Sequence, residues 1–319
     1  VPLARYIAMN PMLKLPFKRY EMGPVFRDGP IKLGRYREFW QCDADIIGSS
    51  SLLAEAELLA VVQTVFNKLN LDVVIKVNSR KILNGLLEQA GITQKEEAIV
   101  AIDKLDKIGR EGVEKELLER GYQKKQIAAV LSLLTQGASL SQLKKKLTSA
   151  EAQQGIKEME ELFSYLSTMG IKKVVFDISL ARGLAYYTGT VYEAYLRKGP
   201  ITSSLAAGGR WDAMIGKFLG GNREIPAVGV AFGLEPIMDT LCLQKKGSVS
   251  PTKIYVVPIN TTSVSLKIAQ QLREAGIPTS FALKNGVSKN LEYASALGIP
   301  FVVIIGEDEL KKKKVFRKK

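Results

Sequence analysis

The fold is decided by residues 17–48, which read FKRYEMGPVFRDGPIKLGRYREFWQCDADIIG. Strand-forming residues run up to Phe26, turn residues follow at Gly29 and Pro30, and a second apolar run ends at Ile47. This order predicts two antiparallel strands joined by a turn-rich loop.

The loop between these strands is rich in cations. Arg27, Lys32, Arg35 and Arg37 fall within eleven residues, and two glycines lie among them. Guanidinium groups on a glycine-bearing loop suit a polyphosphate, because each group can donate two charge-assisted hydrogen bonds to phosphoryl oxygens. The alternative is a solvated hairpin tip.

Polar residues alternate along the second strand. Gln41, Asp43 and Asp45 are two residues apart, so they project to one face of the sheet, opposite the apolar set of Trp40, Cys42 and Ala44. A polar face continuous with a cationic loop predicts the floor of a binding site. The alternative is a sheet whose polar face lies in water.

Composition excludes several chemistries. The 319 residues contain no histidine, which removes Ser-His-Asp and Cys-His mechanisms and imidazole metal sites. Cys42 and Cys242 are isolated from each other, so a zinc site or a disulfide framework is not expected. The net charge of +14 favours a polyanionic partner, nucleic acid first, although a basic enzyme remains open.

The chain shows no targeting or membrane signal. No stretch approaches the roughly 20 apolar residues that cross a bilayer, and the start at Val1-Pro2 lacks the order of a signal peptide. We therefore expect a cytoplasmic protein. The absence of an initiating Met and the end at Lys319, within an apparent strand, predict that the chain is a fragment at both termini.

The remaining pattern predicts two domains. A helix follows residues 48–51, a strand begins at Val73, and residues of about 80–170 are almost wholly helical, as in an insertion within a sheet domain. Its lysines at 144–146 are either a solvated helix face or a phosphate-contacting edge. Strands return at 174–179, 190–195 and 227–232, and a helix covers 234–243.

A linker is predicted at residues 245–251, rich in Lys, Gly, Ser and Pro. Beyond it, strands at 254–259, 279–283 and 301–305 alternate with helices at 264–275 and 289–297, which is typical of a parallel or mixed α/β sheet.

Two further segments that contain glycine are candidate motifs. The first is Arg182-Gly183-Leu184-Ala185-Tyr186-Tyr187-Thr188-Gly189, which lacks the ending of a phosphate-binding P-loop. The second is Gly208-Gly209-Arg210-Trp211-Asp212, which predicts a second tight turn that carries a cation and an aromatic ring.

Together these strings resemble the histidyl-tRNA synthetase family of class II aminoacyl-tRNA synthetases. Residues 26–41 look like class II motif 2, residues 180–189 look like the histidine-specific signature, and residues 229–235 are similar to motif 3. The resemblance implies a mixed α/β protein. An α+β catalytic domain at 1–245, with a class II antiparallel sheet and the helical insertion, would precede an α/β anticodon-binding domain at 252–319.

The resemblance also assigns roles. Arg27 would hold the ATP α-phosphate and Arg35 the outer phosphates, while Arg182 would bridge the histidine carboxylate and the α-phosphate during attack; Arg27 and Arg182 are thus the catalytic candidates. The predicted histidine-binding residues are Gln41, Asp45, Arg182, Tyr186, Tyr187, Gly208 and Trp211. Implied substrates and partners are histidine, ATP with Mg²⁺, tRNA(His) and a second copy in a homodimer, with no metal ligand assigned.

The sequence departs from the family pattern at three points. Pro236 stands where motif 3 carries arginine, Ala185 stands where the signature usually has Asp, and motif 1 with an acidic loop is absent before Val1. The expected activity is histidyl-adenylate formation followed by histidyl-tRNA synthesis, although this fragment is expected to be catalytically incomplete. The alternatives are a non-catalytic paralogue that senses histidine or tRNA, and a basic nucleic-acid-binding module without chemistry.

Overall fold

The computed structural model describes residues 1–135, 137–220, 224–244, 250–311 and 316–318. These residues form two compact units, Val1–Leu241 and Cys242–Lys319. The predicted linker at 245–251 lies mostly outside the described residues. The domain boundaries remain predictions.

The first unit is built on a mainly antiparallel sheet with the order β1-β2-β7-β6-β5-β3-β4. Neighbouring strands are antiparallel except β3 and β4, which are parallel. The predicted antiparallel sheet is therefore confirmed. Its strands are β1 Phe17–Phe26, β2 Glu38–Ile47, β3 Val73–Ser79, β4 Val174–Phe176, β5 Thr190–Leu196, β6 Ala206–Arg210 and β7 Ala227–Gly233.

The β1–β2 hairpin has one unbroken register. Arg19 lies opposite Asp45 and Gly23 lies opposite Gln41, and the backbone pairing continues into the loop, where Arg27 N–H donates to Arg37 O at 2.8 Å. Cys42 and Ala44 pack against the main hydrophobic core, beneath helix α2 (Leu53–Lys68). Because side chains alternate along a strand, Asp43 and Asp45 point to the opposite face.

The predicted helical segment is helical and continuous with the core of the sheet. Its helices are α3 Arg80–Gln89, α4 Lys95–Ile102, α5 Leu105–Glu119, α6 Lys124–Thr135, α7 Leu140–Lys146 and α8 Ala150–Thr168. The backbones of α3 and α8 approach closely, since a Cβ at Gly85 would lie 2.5 Å from the Ala152 Cβ. Lys144 pairs with Glu160 at 2.8 Å on an exposed surface, which favours the solvated helix face.

Three local expectations differ from the structure. The turn predicted at 208–212 is wrong, because Gly208 to Arg210 continue strand β6; paired glycines look like a turn in sequence, but here they make room for neighbouring strands. Strand β4 ends at Phe176 rather than 179, because Asp177 accepts hydrogen bonds from the amide and hydroxyl of Ser179 in a turn. Helices α1 (Pro2–Met9) and α9 (Ala213–Phe218), which pack on each other, were not predicted.

The second unit has the predicted α/β alternation. Its sheet has the order β11-β10-β8-β9, in which β8 is parallel to β9 and β10, and β11 is antiparallel to β10. A mixed sheet is therefore confirmed. Its elements are β8 Ile254–Pro258, α11 Thr262–Glu274, β9 Thr279–Phe281, α12 Val287–Ala296, β10 Phe301–Ile305, α13 Glu307–Lys311 and β11 Phe316–Lys318, after α10 Leu234–Gln244.

No helix in the described part of the chain is long and apolar enough to cross a membrane.

A buried ion pair joins the sheet to α2. Arg210 Nε donates to Glu55 Oε1 at 2.6 Å and Arg210 Nη2 donates to Glu55 Oε2 at 2.7 Å, and the Glu55 side chain is fully buried. Arg210 also donates to the backbone oxygen of Ser49. The cation predicted on a turn is therefore a structural group, because the bidentate contact satisfies both partners inside the protein.

Removal of one partner of this pair should destabilise the first unit. Arg210→Met leaves the Glu55 carboxylate buried and unpaired, so we expect the free energy of unfolding to fall by about 3–5 kcal/mol. Urea unfolding followed by tryptophan fluorescence measures this change, since both tryptophans, Trp40 and Trp211, lie in this unit.

The matched control is Arg197→Met. Arg197 pairs with Asp72 at 3.3 Å on the surface, so its loss should cost about 0–1 kcal/mol. Equal losses for the two arginine variants would contradict a structural role for the buried pair.

Candidate active site

A cavity of about 220 Å³ opens on the polar face of the first unit's sheet. It is smaller than the roughly 300–1,000 Å³ clefts that hold drug-sized ligands, so its size suits a small polar molecule. The lining residues are Val1, Leu3, Ala4, Arg19, Asp43, Asp45, Tyr186, Tyr187, Ala207, Gly208, Gly209, Trp211, Met214, Gly229, Val230 and Ala231.

The floor of the cavity carries two carboxylates and one guanidinium. Arg19 on β1 pairs with Asp45 on β2, with 2.7 Å between Arg19 Nη2 and Asp45 Oδ2. Burial raises the pKa of Asp45 to about 6, although Arg19 opposes the shift; Asp43 and Glu21 add to it. Burial also raises the pKa of Asp43. The floor can thus accept hydrogen bonds near neutral pH and loses part of that capacity as the pH falls.

Glycines on β6 and β7 allow neighbouring groups to approach the strand backbones closely. A Cβ at Gly229 would lie 1.9 Å from Asp45 Oδ1, and a Cβ at Gly208 would lie 2.1 Å from Gly229 O. Both separations are far below van der Waals contact, so neither position has room for a side chain. The Asp45 carboxylate therefore lies against the bare backbone of β7.

Aromatic rings form the wall of the cavity. The Tyr186 and Tyr187 rings have centroids 4.5 Å apart, and Tyr187 and Trp211 are each only 8% exposed. Burial raises the pKa of Tyr187, which keeps its hydroxyl neutral at physiological pH. A flat apolar wall beside a polar floor matches a planar ring that carries N–H groups.

Arg182 lies next to this wall but does not line the cavity. Its guanidinium is 5.5 Å from the Tyr187 ring centroid and donates to Glu193 on β5. Burial would lower the pKa of Arg182, but Tyr187, Glu193 and other nearby groups more than offset this and raise it. The Nε atom is buried without a hydrogen-bond partner. Arg182 is therefore a fixed, permanently charged cation whose buried Nε–H donor has no protein partner.

Arg27, at the base of the cationic loop (residues 27–37), is held in place by its neighbours. Arg27 lies over the Phe39 ring at 4.1 Å and donates from Nε to Tyr36 O at 2.8 Å. Burial and the nearby charge of Arg35 lower the pKa of Arg27. Two guanidinium groups close enough to repel each other form a site that an anion would stabilise.

Helix α10 anchors the tip of the same loop. Asp239 Oδ2 accepts hydrogen bonds from Gly34 N–H at 3.1 Å and from the Tyr36 hydroxyl at 2.7 Å. Pro236 packs beneath the loop, since a Cβ at Gly34 would lie 3.5 Å from the Pro236 Cβ. At the position where the family pattern has an arginine, this chain therefore has an apolar support for the loop.

Five of the predicted site residues line the cavity: Asp45, Tyr186, Tyr187, Gly208 and Trp211. The other four, Arg27, Arg35, Gln41 and Arg182, do not. Their proposed roles, like those of the first five, are not tested by this placement.

Sequence reasoning missed three residues of the floor and its supports. Arg19 could have been found from the hairpin register, which places it opposite Asp45. Gly229 begins the string that resembles motif 3, but no sequence signal placed it against Asp45, and the Arg182 partner Glu193 had no signal at all; only the pairing of distant strands brings these two residues to the site. Across the described ranges, no group of three or more Cys, Asp or Glu side chains is placed to hold a metal ion.

Comparison with known proteins places this chain in a family. The histidyl-tRNA synthetase family model matches residues 2–237, and an anticodon binding domain model matches residues 253–319. Histidine–tRNA ligase 1 of Bacillus cereus is 44% identical over 97% of this chain and 74% of its own length. Histidine–tRNA ligase of Bacteroides fragilis is 40% identical over 100% and 72%.

Solved structures agree with these sequence matches. The crystal structure of histidyl-tRNA synthetase from Nostoc sp. PCC 7120 has a TM-score of 0.71 and 32% identity, and covers 99% of this chain and 79% of that one. An ATP phosphoribosyltransferase regulatory subunit/histidyl-tRNA synthetase from Bacillus halodurans C has a TM-score of 0.69 over 96% of this chain and 78% of that one. At 19% identity it shows the fold alone. Because the family model spans most of the chain, and relatives at 40–44% identity are covered over 72–74% of their length, this chain belongs to the histidyl-tRNA synthetase family.

Proposed function

We propose that this protein activates histidine with ATP to histidyl-adenylate and then transfers the histidyl group to tRNA(His). One observation carries the proposal: a cavity of about 220 Å³ joins a carboxylate floor to an aromatic wall, on the hairpin that also bears the cationic loop. Membership of the histidyl-tRNA synthetase family and the anticodon binding domain match support the same reaction.

The histidine side chain would enter the cavity. Asp45 would accept a hydrogen bond from an imidazole N–H, and the rings of Tyr187 and Trp211 would pack along the imidazole. Gly208 would border the ring on β6, since it lines the cavity. We assign Tyr186 to the same wall, and Gln41, between Asp45 and the loop on β2, to the polar groups of the amino acid.

ATP would bind along the cationic loop as its magnesium complex. Arg27 would contact the α-phosphate and Arg35 the outer phosphates, because phosphate charge would offset the repulsion between the two guanidinium groups. Mg²⁺ is commonly held by substrate phosphates and one or two protein carboxylates, so it would enter the site with ATP.

The chemical step needs charge placement more than a base. The ionised carboxylate oxygen of histidine attacks the α-phosphorus, a new O–P bond forms, and the bond to pyrophosphate breaks. Arg182 would stabilise the negative charge that develops between the carboxylate and the α-phosphate, without moving at the moment of reaction. A terminal ribose hydroxyl of the tRNA then attacks the histidyl carbonyl and releases AMP.

Further features are proposed from the family. The second unit would bind the anticodon, the protein would act as a homodimer in the cytoplasm, and the catalytic and anticodon-binding domains would span 1–245 and 252–319. A sensor without catalysis is less well supported, because Arg27, Arg35 and Arg182 are all present and the anticodon binding domain is matched.

The first test is exchange of labelled pyrophosphate into ATP by the full-length protein, with each of the 20 amino acids. We expect exchange with histidine alone. Binding of histidine without exchange would indicate a sensor, while salt-sensitive tRNA binding with no effect of ATP or histidine would indicate a simple nucleic-acid-binding protein.

Substitution of Arg182 should act on the chemical step. Arg182→Ala removes a fixed cation beside the reacting groups, so we expect kcat for exchange to fall by roughly 10²–10³ while the KM for histidine changes little. The exposed Arg197→Ala is the matched control and should leave kcat unaltered. A raised KM with normal kcat would contradict the role of Arg182 in the transition state.

Substitution of Asp45 should act on histidine binding and its pH dependence. Asp45→Asn should raise the KM for histidine by a factor that corresponds to about 1.5–3 kcal/mol. Because the pKa of Asp45 is about 6, its carboxylate accepts hydrogen bonds above that pH and loses this ability below it. The wild-type KM should therefore rise more steeply below pH 6 than that of Asp45→Asn.

The comparison of the two profiles is needed because the imidazole of free histidine also titrates near pH 6.5. That contribution is common to both proteins, and the exposed Asp72→Asn serves as a control for loss of a carboxylate. Identical pH profiles for wild type and Asp45→Asn would remove Asp45 from the pocket.

A further inference from the structure

We propose that Arg19 is a positioning residue for histidine recognition, which fixes the Asp45 carboxylate as an oriented acceptor for the imidazole. The inference rests on the proposed function, because it concerns how the same pocket selects its amino acid. No motif of the sequence marked Arg19, and its role follows from the pairing of β1 with β2.

Arg19 reaches Asp45 from the neighbouring strand. The two residues are direct partners in the β1–β2 register, and the guanidinium lies 2.7 Å from Asp45 Oδ2. The side chains are only 15% and 11% exposed. A contact between buried ions is worth more than a surface pair, and it fixes the direction of the carboxylate as well as its charge.

The other carboxylate oxygen is fixed by β7. Asp45 Oδ1 lies over Gly229, at a distance that leaves no room for a Cβ. The carboxylate is thus held between a guanidinium on one side and a backbone on the other. These two neighbours restrict rotation of the Asp45 side chain, so they set the direction from which Asp45 can accept a further hydrogen bond.

Arg19 is needed to offset the negative charges around Asp45. Asp43 lies on the same strand, Glu21 lies on β1 and contacts Arg19, Tyr192 on β5 lies close beneath, and β7 contributes no charged side chain. The cavity also borders Val1 and the two tyrosines of the wall. Among the side chains that act on Asp45, Arg19 supplies the positive charge.

Two buried polar atoms of the floor have no hydrogen-bond partner: Arg19 Nε and Asp43 Oδ1. An unpaired buried donor or acceptor costs free energy, so a ligand that brings both kinds of group would complete the floor. A neutral imidazole has one N–H donor, whose hydrogen bond Asp45 would accept, and one nitrogen acceptor for the Arg19 Nε–H, while the α-ammonium group of histidine brings further donors. An apolar ring of equal size has neither, which gives the floor a basis for selection.

Loss of Arg19 should change the protonation of Asp45 and leave the carboxyl groups of the floor in place. Burial and the two remaining carboxylates then act on Asp45 unopposed, so its pKa rises above the present value of about 6. At neutral pH a larger fraction of Asp45 is protonated and donates instead of accepting. Histidine binding should therefore weaken at neutral pH and recover partly as the pH is raised.

The test is the KM for histidine and for ATP in pyrophosphate exchange, from pH 6 to 9, for wild type, Arg19→Leu and Arg19→Lys. We expect Arg19→Leu to raise the histidine KM about 10- to 100-fold at pH 7, with a smaller increase at pH 9 and no change in the KM for ATP. Arg19→Lys, which keeps the charge, should restore most of the affinity. Lys18→Leu, on the exposed side of the same strand, should match wild type.

Circular dichroism shows whether each variant is folded. The KM values give a second check, because a misfolded sheet would raise the KM for both histidine and ATP at every pH. An unchanged histidine KM and pH profile in folded Arg19→Leu, with an active wild type, would overturn the role of Arg19 and leave the proposed function intact. A folded wild type without histidine binding or exchange would overturn both.

Discussion

The Asp45 carboxylate can lie against the backbone of β7 because β6 and β7 lack side chains at Gly208 and Gly229, where they cross the middle of the sheet. Gly208 and Gly229 leave a space that neighbouring strands enter: the Asp45 carboxylate lies over Gly229, and the Tyr192 hydroxyl donates to Gly229 O at 2.8 Å. A methyl group at either glycine would displace the backbone or the carboxylate. The acidic floor, the direction of Asp45 and its pairing with Arg19 all depend on this absence.

One hairpin carries both halves of the proposed chemistry. At the end of β1 and β2 far from the loop, Arg19 and Asp45 form the floor of the cavity; at the loop end lie Arg27 and Arg35, the proposed phosphate-binding residues. In the proposed function the hairpin would therefore order the substrates along its length, with the amino-acid side chain at one end and the phosphates at the other. Asp239 on α10 fixes the loop, and this arrangement accommodates Pro236 at the motif 3 position.

Local patterns in the sequence predicted the hairpin, the helical segment and the α/β alternation of the second unit, because each depends on residues close in the chain. Strand β6 could not be predicted in this way, since Gly208 and Gly209 have the local character of a turn and become a strand only through pairing with β5 and β7. The Arg210–Glu55 pair had no local signal either. In the site, the motifs marked Asp45 and Tyr187, whereas Arg19, Gly229 and Glu193 emerged from strand pairing.

In the proposed function, the floor of the cavity recognises the hydrogen-bonding groups of an imidazole ring. Calorimetric titration of the protein with histidine and with β-(2-thienyl)alanine, whose five-membered ring has no N–H, tests this claim directly. We expect histidine to bind and the thienyl analogue to bind at least about 100-fold more weakly, because the buried polar groups of the floor would be left unpaired. Equal affinity for the two amino acids would show that shape alone selects the ligand and would contradict recognition of the imidazole by hydrogen bonds.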